Sequence, residues 1–212
     1  YLDGKPVMIL EPNKVLVDSS ILDSLGSMFY LETINDDRTQ PGGHVPEHVH
    51  RNMEIFGYVV EGLCRHTDSH GNNIDIPAGA VQRMSTGTGI RHTEGNAGTE
   101  QCRYLQLWIR PNQQDVNPQW SWHQFTREDK LNRFCDITEK LPIYADARLL
   151  AGIFTKDFTY TIDPGRSYYM YIVTGSGENY IEGDGFMYEQ ESVVEIKPSV
   201  ESEIILFELR AQ

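Results

Sequence analysis

The 212-residue chain is short of cysteine, of helical patterning and of positive charge, and it has no long apolar run. Each shortage excludes something. Cys64, Cys102 and Cys135 are odd in number and lack CxxC spacing, which argues against a disulfide framework and for a reducing, cytoplasmic setting. No run approaches the roughly 18 apolar residues that span a bilayer, so no membrane association is expected. A hydrophobic signal segment is also missing, and the start at Tyr1 rather than Met leaves a trimmed N-terminus open. Lys and Arg number 18 against 31 Asp and Glu, a net charge of -13. Residues 1–110 carry 9 basic and 14 acidic side chains (net -5), and residues 111–212 carry 9 and 17 (net -8). Such a surface repels phosphate backbones, which sets nucleic acid aside as a partner and reads as an ordinary solvated face. Gly87 and Gly89 form a GxG run without a helix start behind it, so phosphate binding is not indicated.

What is present is strand. Ile55–Val60, Tyr104–Arg110, Tyr168–Val173 and Glu203–Leu209 are short, rich in β-branched or aromatic residues and bounded by turn formers. Turn signals recur about every ten residues, at 41–43, 69–72, 77–79, 163–165 and 183–185. This spacing predicts an all-β fold of sandwich or barrel type rather than βαβ units. Residues 126–138 are the one candidate for a short helix or linker. The two halves read as a weak repeat: Val59-Val60-Glu61-Gly62 leads to a turn at Gly71 and then Pro77-Ala78-Gly79, while Ile172–Gly177 leads to a turn at 183–185 and a strand at Glu191–Ile196. A split near Phe125 follows, giving one barrel over 1–125 and a second over 126–212.

Histidine separates the halves. All seven lie at 44, 48, 50, 66, 70, 92 and 123, so a metal-binding barrel would be the first. Residues two apart on a strand face the same way. His48 and His50 therefore share a face, and so do His92 and Glu94. Two such strands closing over a barrel would bring nitrogen and oxygen ligands together, a set that suits iron and also zinc, copper, nickel or manganese. Parity leaves Glu54 open as a further ligand, since it too lies an even number of residues from His50.

Gly42, five residues, His48-x-His50, three residues, Glu54 and then Gly62 resembles the first cupin motif, and Gly71, five residues, Pro77-x-Gly79 resembles the opening of the second. More closely, His48–Glu54, Tyr58–Gly62, His66–Asn72 and Gln82–Glu94 together resemble the pirins, densely from about Ile34 to Phe125. The resemblance implies a bicupin, two stacked jelly-roll β-barrels, with one divalent metal, expected to be Fe(II), in the N-terminal barrel only. It implies His48, His50, His92 and Glu94 as ligands, with Glu54 outside the ligand set and orienting an imidazole. Departures are the segment Gly43–Glu47 and Val49, where the family has a Gly-Phe lead-in and Pro, and Thr93, where Ser is common. The stretch before Leu31 lacks the family's aromatic-rich pattern.

Some pirin-like proteins cleave the flavonol quercetin with dioxygen. A metal-dependent dioxygenase acting on a flavonol or another enolisable aromatic is therefore the first functional expectation, with Glu94 also serving as general base. The others are a metal-binding regulatory module that recruits a protein partner, and a cupin isomerase or lyase. A monomer is expected. Among the remaining candidates, His44 reads as a loop residue and His66 and His70 as ordinary turn and strand polar residues flanking a hairpin turn. His123 reads as packed or hydrogen-bonded within the aromatic Trp120–Phe125 segment, Gln82 and Met84 as beside the pocket or in the core, and Cys64 and Cys102 as small buried hydrophobes.

Overall fold

The structure, a computed structural model, describes residues 8–10, 14–16, 30–188 and 191–210. Most of the stretch before Leu31 lies outside the described residues. The chain forms two compact units, residues 1–124 with Ile143–Ala145, and residues 125–142 with 146–212.

The strands of the first unit are β1 (Met8–Leu10), β2 (Lys14–Leu16), β3 (Leu31–Thr39), β4 (His44–His50), β5 (Glu54–Glu61), β6 (Leu63–Asp68), β7 (Asn73–Pro77), β8 (Ala80–Ser85), β9 (Ile90–Asn96), β10 (Cys102–Ile109) and β11 (Gln119–Gln124). They make a seven-stranded sheet in the order β1-β2-β3-β10-β5-β8-β11 and a four-stranded sheet in the order β4-β9-β6-β7. Their facing sides share one interior. Val59, Ala80, Cys102 and Tyr104 from the larger sheet cluster with Cys64 and Ile76 from the smaller, and Ile55 and Met84 cluster with Ile90. Cys64 and Cys102 are thus core residues, and all three thiols are free. Turns fall where glycine permits a positive φ. Gly62 (φ 79°) joins β5 to β6, and a Cβ there would lie 2.7 Å from the Gln101 carbonyl oxygen.

The second unit opens with α1 (Arg127–Lys130), a single turn whose cap is complete: Thr126 accepts from the Asp129 amide while the Asp129 carboxylate accepts from Thr126. The candidate helix over 126–138 amounts to this turn. Then follow β12 (Cys135–Asp136), β13 (Ala147–Phe154), β14 (Phe158–Thr161), β15 (Arg166–Gly177), β16 (Tyr180–Ile181), β17 (Gly185–Tyr188), β18 (Val193–Ile196) and β19 (Pro198–Arg210). The main sheet runs β12-β13-β19-β15-β16, with β17 also on β15, and β14 pairs with β18. Leu150, Phe154, Met170, Ile172, Val194, Ile196, Ile204 and Leu206 fill this second core. No helix is long and apolar enough to cross a membrane among the described residues.

Candidate metal centre

The first unit's interior turns polar where β4, β9 and β6 run side by side. The alternation along β9 is clear-cut: Ile90, His92, Glu94 and Asn96 are buried and Arg91 is exposed. His48 of β4 lies opposite His92, and on the other flank Asp68 and His66 of β6 lie opposite His92 and Glu94. Register thus aligns His48, His92 and Asp68 in one row across the sheet and places Glu94 and His66 in the next.

Three imidazoles converge. Ring centroids are 4.4 Å apart for His48 and His92, 4.7 Å for His48 and His50, and 5.0 Å for His50 and His92. Taking one nitrogen from each, their ligand atoms lie within 4.8 Å of one another; His66, His92 and Glu94 form a second such group. The Nδ1 of His48 lies 2.8 Å from the Pro46 carbonyl oxygen. A carbonyl only accepts, so Nδ1 carries the proton and Nε2 is left with the lone pair. Burial, with His92 and His48 nearby, pushes His50 down to about 4 against the pull of Glu94. Burial does the same to His92, down to about 4, opposed by Glu94 and helped by His48 and His66. Both rings are therefore neutral at pH 7, the form that binds metals. His50 Nε2, both nitrogens of His92 and His66 Nδ1 are buried without a hydrogen-bond partner. Buried orphan nitrogens are uncommon and costly, and a divalent cation would satisfy their lone pairs.

Glu94 sits beside this trio, joined to it through His92. Its Oε1 is 4.0 Å from His92 Nδ1 and 4.0 Å from His66 Nδ1. Gln82 donates to Oε1 at 2.5 Å, and Gln106 donates to Oε2. Burial alone would raise the Glu94 carboxyl, but His66, His92 and His48 outweigh it and hold the group below the usual carboxylate value.

The structure adds His66 to the neighbourhood of the candidate ligands. It is a strand residue, within β6, fully buried, stacked on Trp120 at 4.9 Å and 11° and bonded through Nε2 to Asp68 at 3.1 Å. Parity with Asp68 and Cys64 was the available signal; the partner strand that aims it at Glu94 was not in the spacing. Gln106 carried no signal in the sequence at all. Gln82 lies at the site, whereas Met84 joins the apolar cluster with Ile55 and Ile90. His44 and His70 are exposed, and so is His123 on β11.

Glu54 is also corrected. It alternates with Ile55 and so leaves β5 on the face opposite the metal-facing interior. Its carboxylate accepts from Ser85 at 2.6 Å, near Arg83 and the Tyr144 backbone, and orients no imidazole. Burial pushes it from 4.5 up to about 7, against the lowering pull of Ser85, Tyr144 and Arg83. Because this value exceeds that of the unfolded chain, the folded protein holds the extra proton between about pH 4.5 and 7, and stability falls as pH rises across that window. The loss is on the order of 3 kcal/mol by pH 8. Glu54→Gln, which can still accept from Ser85, should gain stability relative to wild type from pH 5 to pH 8. Urea unfolding of both metal-free proteins checks this; parallel stability curves would refute it.

Two facing sheets around a histidine-lined interior, followed by a second β unit without histidine, define a bicupin. Residues 11–109 match the Pirin family model and residues 136–209 that of the quercetinase C-terminal cupin domain. The chain is 33% identical over 189 residues to the quercetin 2,3-dioxygenase of Escherichia coli K12 (84% of this chain, 82% of the relative) and 34% identical over 189 residues to a pirin-like protein of Caulobacter vibrioides (83% and 82%). It belongs to the pirin family. The crystal structure of YhhW from Escherichia coli superposes with a TM-score of 0.79 at 29% identity, covering 87% of this chain and 83% of that one. The complex of the same bacterial pirin with nickel(II) superposes at 0.78 and 29% identity, covering 87% and 84%.

Proposed function

We propose that the protein is a metal-dependent dioxygenase of pirin type, acting on a flavonol or another enolisable aromatic, with one divalent metal held in the first barrel by His48, His50, His92 and Glu94. The observation that carries this reading is the trio of clustered imidazoles with buried nitrogens that lack partners. The names of the relatives and the nickel complex of YhhW support it. Fe(II) is the ion proposed, and imidazole with carboxylate also accommodates zinc, nickel, copper or manganese. When bound, the metal supplies a Lewis-acidic centre at which an anionic substrate oxygen and dioxygen can meet.

The chain's own residues supply the rest. Glu94, ionised at neutral pH, can take the hydroxyl proton of the substrate on a carboxylate oxygen. Pro46 holds His48 in the tautomer that presents Nε2. Trp108, edge-on to His50 at 4.8 Å, gives the site an apolar wall that excludes water. Elemental analysis of freshly purified protein should return one equivalent of transition metal per chain, since both candidate ligand groups lie in the first unit. Iron-loaded protein should then consume dioxygen when given quercetin, with metal-free protein at the buffer rate. Two tightly bound equivalents, or uptake equal in both forms, would contradict the proposal.

A further inference from the structure

We infer that Gln82 and Gln106, each oriented by a tryptophan, are positioning residues that fix the Glu94 carboxylate beside His92, and that Gly57 leaves the room they need. The inference rests on the metal-site reading above.

Two donors and two acceptors interlock. Trp120 Nε1 donates to Gln82 Oε1 at 2.8 Å, and Trp108 Nε1 donates to Gln106 Oε1 at 3.2 Å. An indole N–H can only donate and a carboxylate can only accept. Each amide must therefore turn its oxygen to the indole and its NH2 to Glu94. A flipped amide would set oxygen against oxygen at one end and N–H against N–H at the other. The result is a relay, Trp120–Gln82–Glu94–Gln106–Trp108, in which each carboxylate oxygen receives one amide N–H. The last torsion of a glutamate is soft, and charge-assisted bonds to both oxygens remove that freedom.

The backbone makes space for it. Gly57 of β5 lies opposite Gln82 on β8 and opposite Gln106 on β10. A Cβ on Gly57 would come 2.7 Å from Gln82 Nε2 and 2.8 Å from its Cγ, so any side chain there displaces the amide. The two indoles also border the imidazoles, Trp120 stacked on His66 and Trp108 edge-on to His50. The relay thus holds Glu94 by both oxygens, one of them the Oε1 that lies 4.0 Å from His92, a placement its strand position alone does not impose.

The test uses the full chain with Co(II) as probe, reading affinity and the visible absorption of the bound ion. Gln82→Leu, Gln106→Leu, Trp120→Phe and Gly57→Ala should each weaken Co(II) binding about 10–100-fold, the usual cost of losing a group that orients a ligand, and shift the absorption bands. Trp122→Phe, at an exposed indole, should do neither. Gly57→Ala removes no polar atom and Trp120→Phe keeps a ring against His66, so these two separate positioning from folding. If both bind Co(II) with wild-type affinity and spectrum, or lose only thermal stability, the inference is overturned while the metal reading stands. Wild-type protein that takes up no Co(II) overturns both.

Discussion

His92→Ala should leave the purified protein with little of its metal, a loss larger than the roughly 10–100-fold that follows from removing a group outside the ligand set. His92 is the member common to both groups of candidate ligands, 4.4 Å from His48 and 5.0 Å from His50 between ring centroids. Its removal leaves two imidazoles on β4 with no imidazole opposite them on β9, and it removes the residue that joins Glu94 to them. His48→Ala and His50→Ala should also lose most of the metal. Glu54→Gln should keep it, because Glu54 leaves β5 on the other face and bonds Ser85. Elemental analysis after dialysis, beside melting curves of the metal-free proteins, is the check. Metal retained by His92→Ala would refute the ligand set, and metal lost from Glu54→Gln while Glu94→Gln keeps it would return the carboxylate ligand to the position a generic cupin uses.

Glu94→Gln should lower the rate of dioxygen uptake with quercetin by about 10²–10⁴-fold, the range general-base help typically contributes. The substitution keeps the side chain's length and leaves an amide that cannot take a proton. It also turns one acceptor into a donor facing the amides of Gln82 and Gln106, so some metal affinity should go with it. Rates are therefore compared per bound metal, in wild type, Glu94→Gln and metal-free protein. Equal rates per metal in the first two would leave the activity in place and assign the base to another group. Rates at the buffer blank in all three would remove the flavonol from consideration.

The sequence showed the parts of this site that lie along one strand and hid those that cross between sheets. The period of two made His48 and His50, and likewise His92 and Glu94, pairs on common faces, and the structure brings the three histidines together with Glu94 beside them. The strands and the glycine turns were legible for the same local reason. The place of His66 beside the site was hidden because it comes from β6 lying against β9, which sets it opposite Glu94. Gln106 and Trp108 sit on the other sheet altogether, and no spacing relates β10 to β9 across an interior. Glu54 shows the converse: parity with His50 is worthless once the chain turns at 51–53 and enters a different sheet.

Among the described residues β4 is the edge of its sheet, and it carries two of the three clustered histidines. A strand hydrogen-bonded on one flank only is the part of a sheet that peels first and the part that other chains can pair with. Here its ladder to β9 is further interrupted by a register shift between Val45 and His48, and Pro46 has no amide hydrogen to give. A cation gripping His48 and His50 on β4 and His92 on β9 would rivet this loose border to its neighbour, adding a cross-strand link where backbone pairing is weakest. Binding energy at such a place is also folding energy. The stripped protein should then be vulnerable first along this margin, to proteases and to self-association, while the rest of the barrel stays closed.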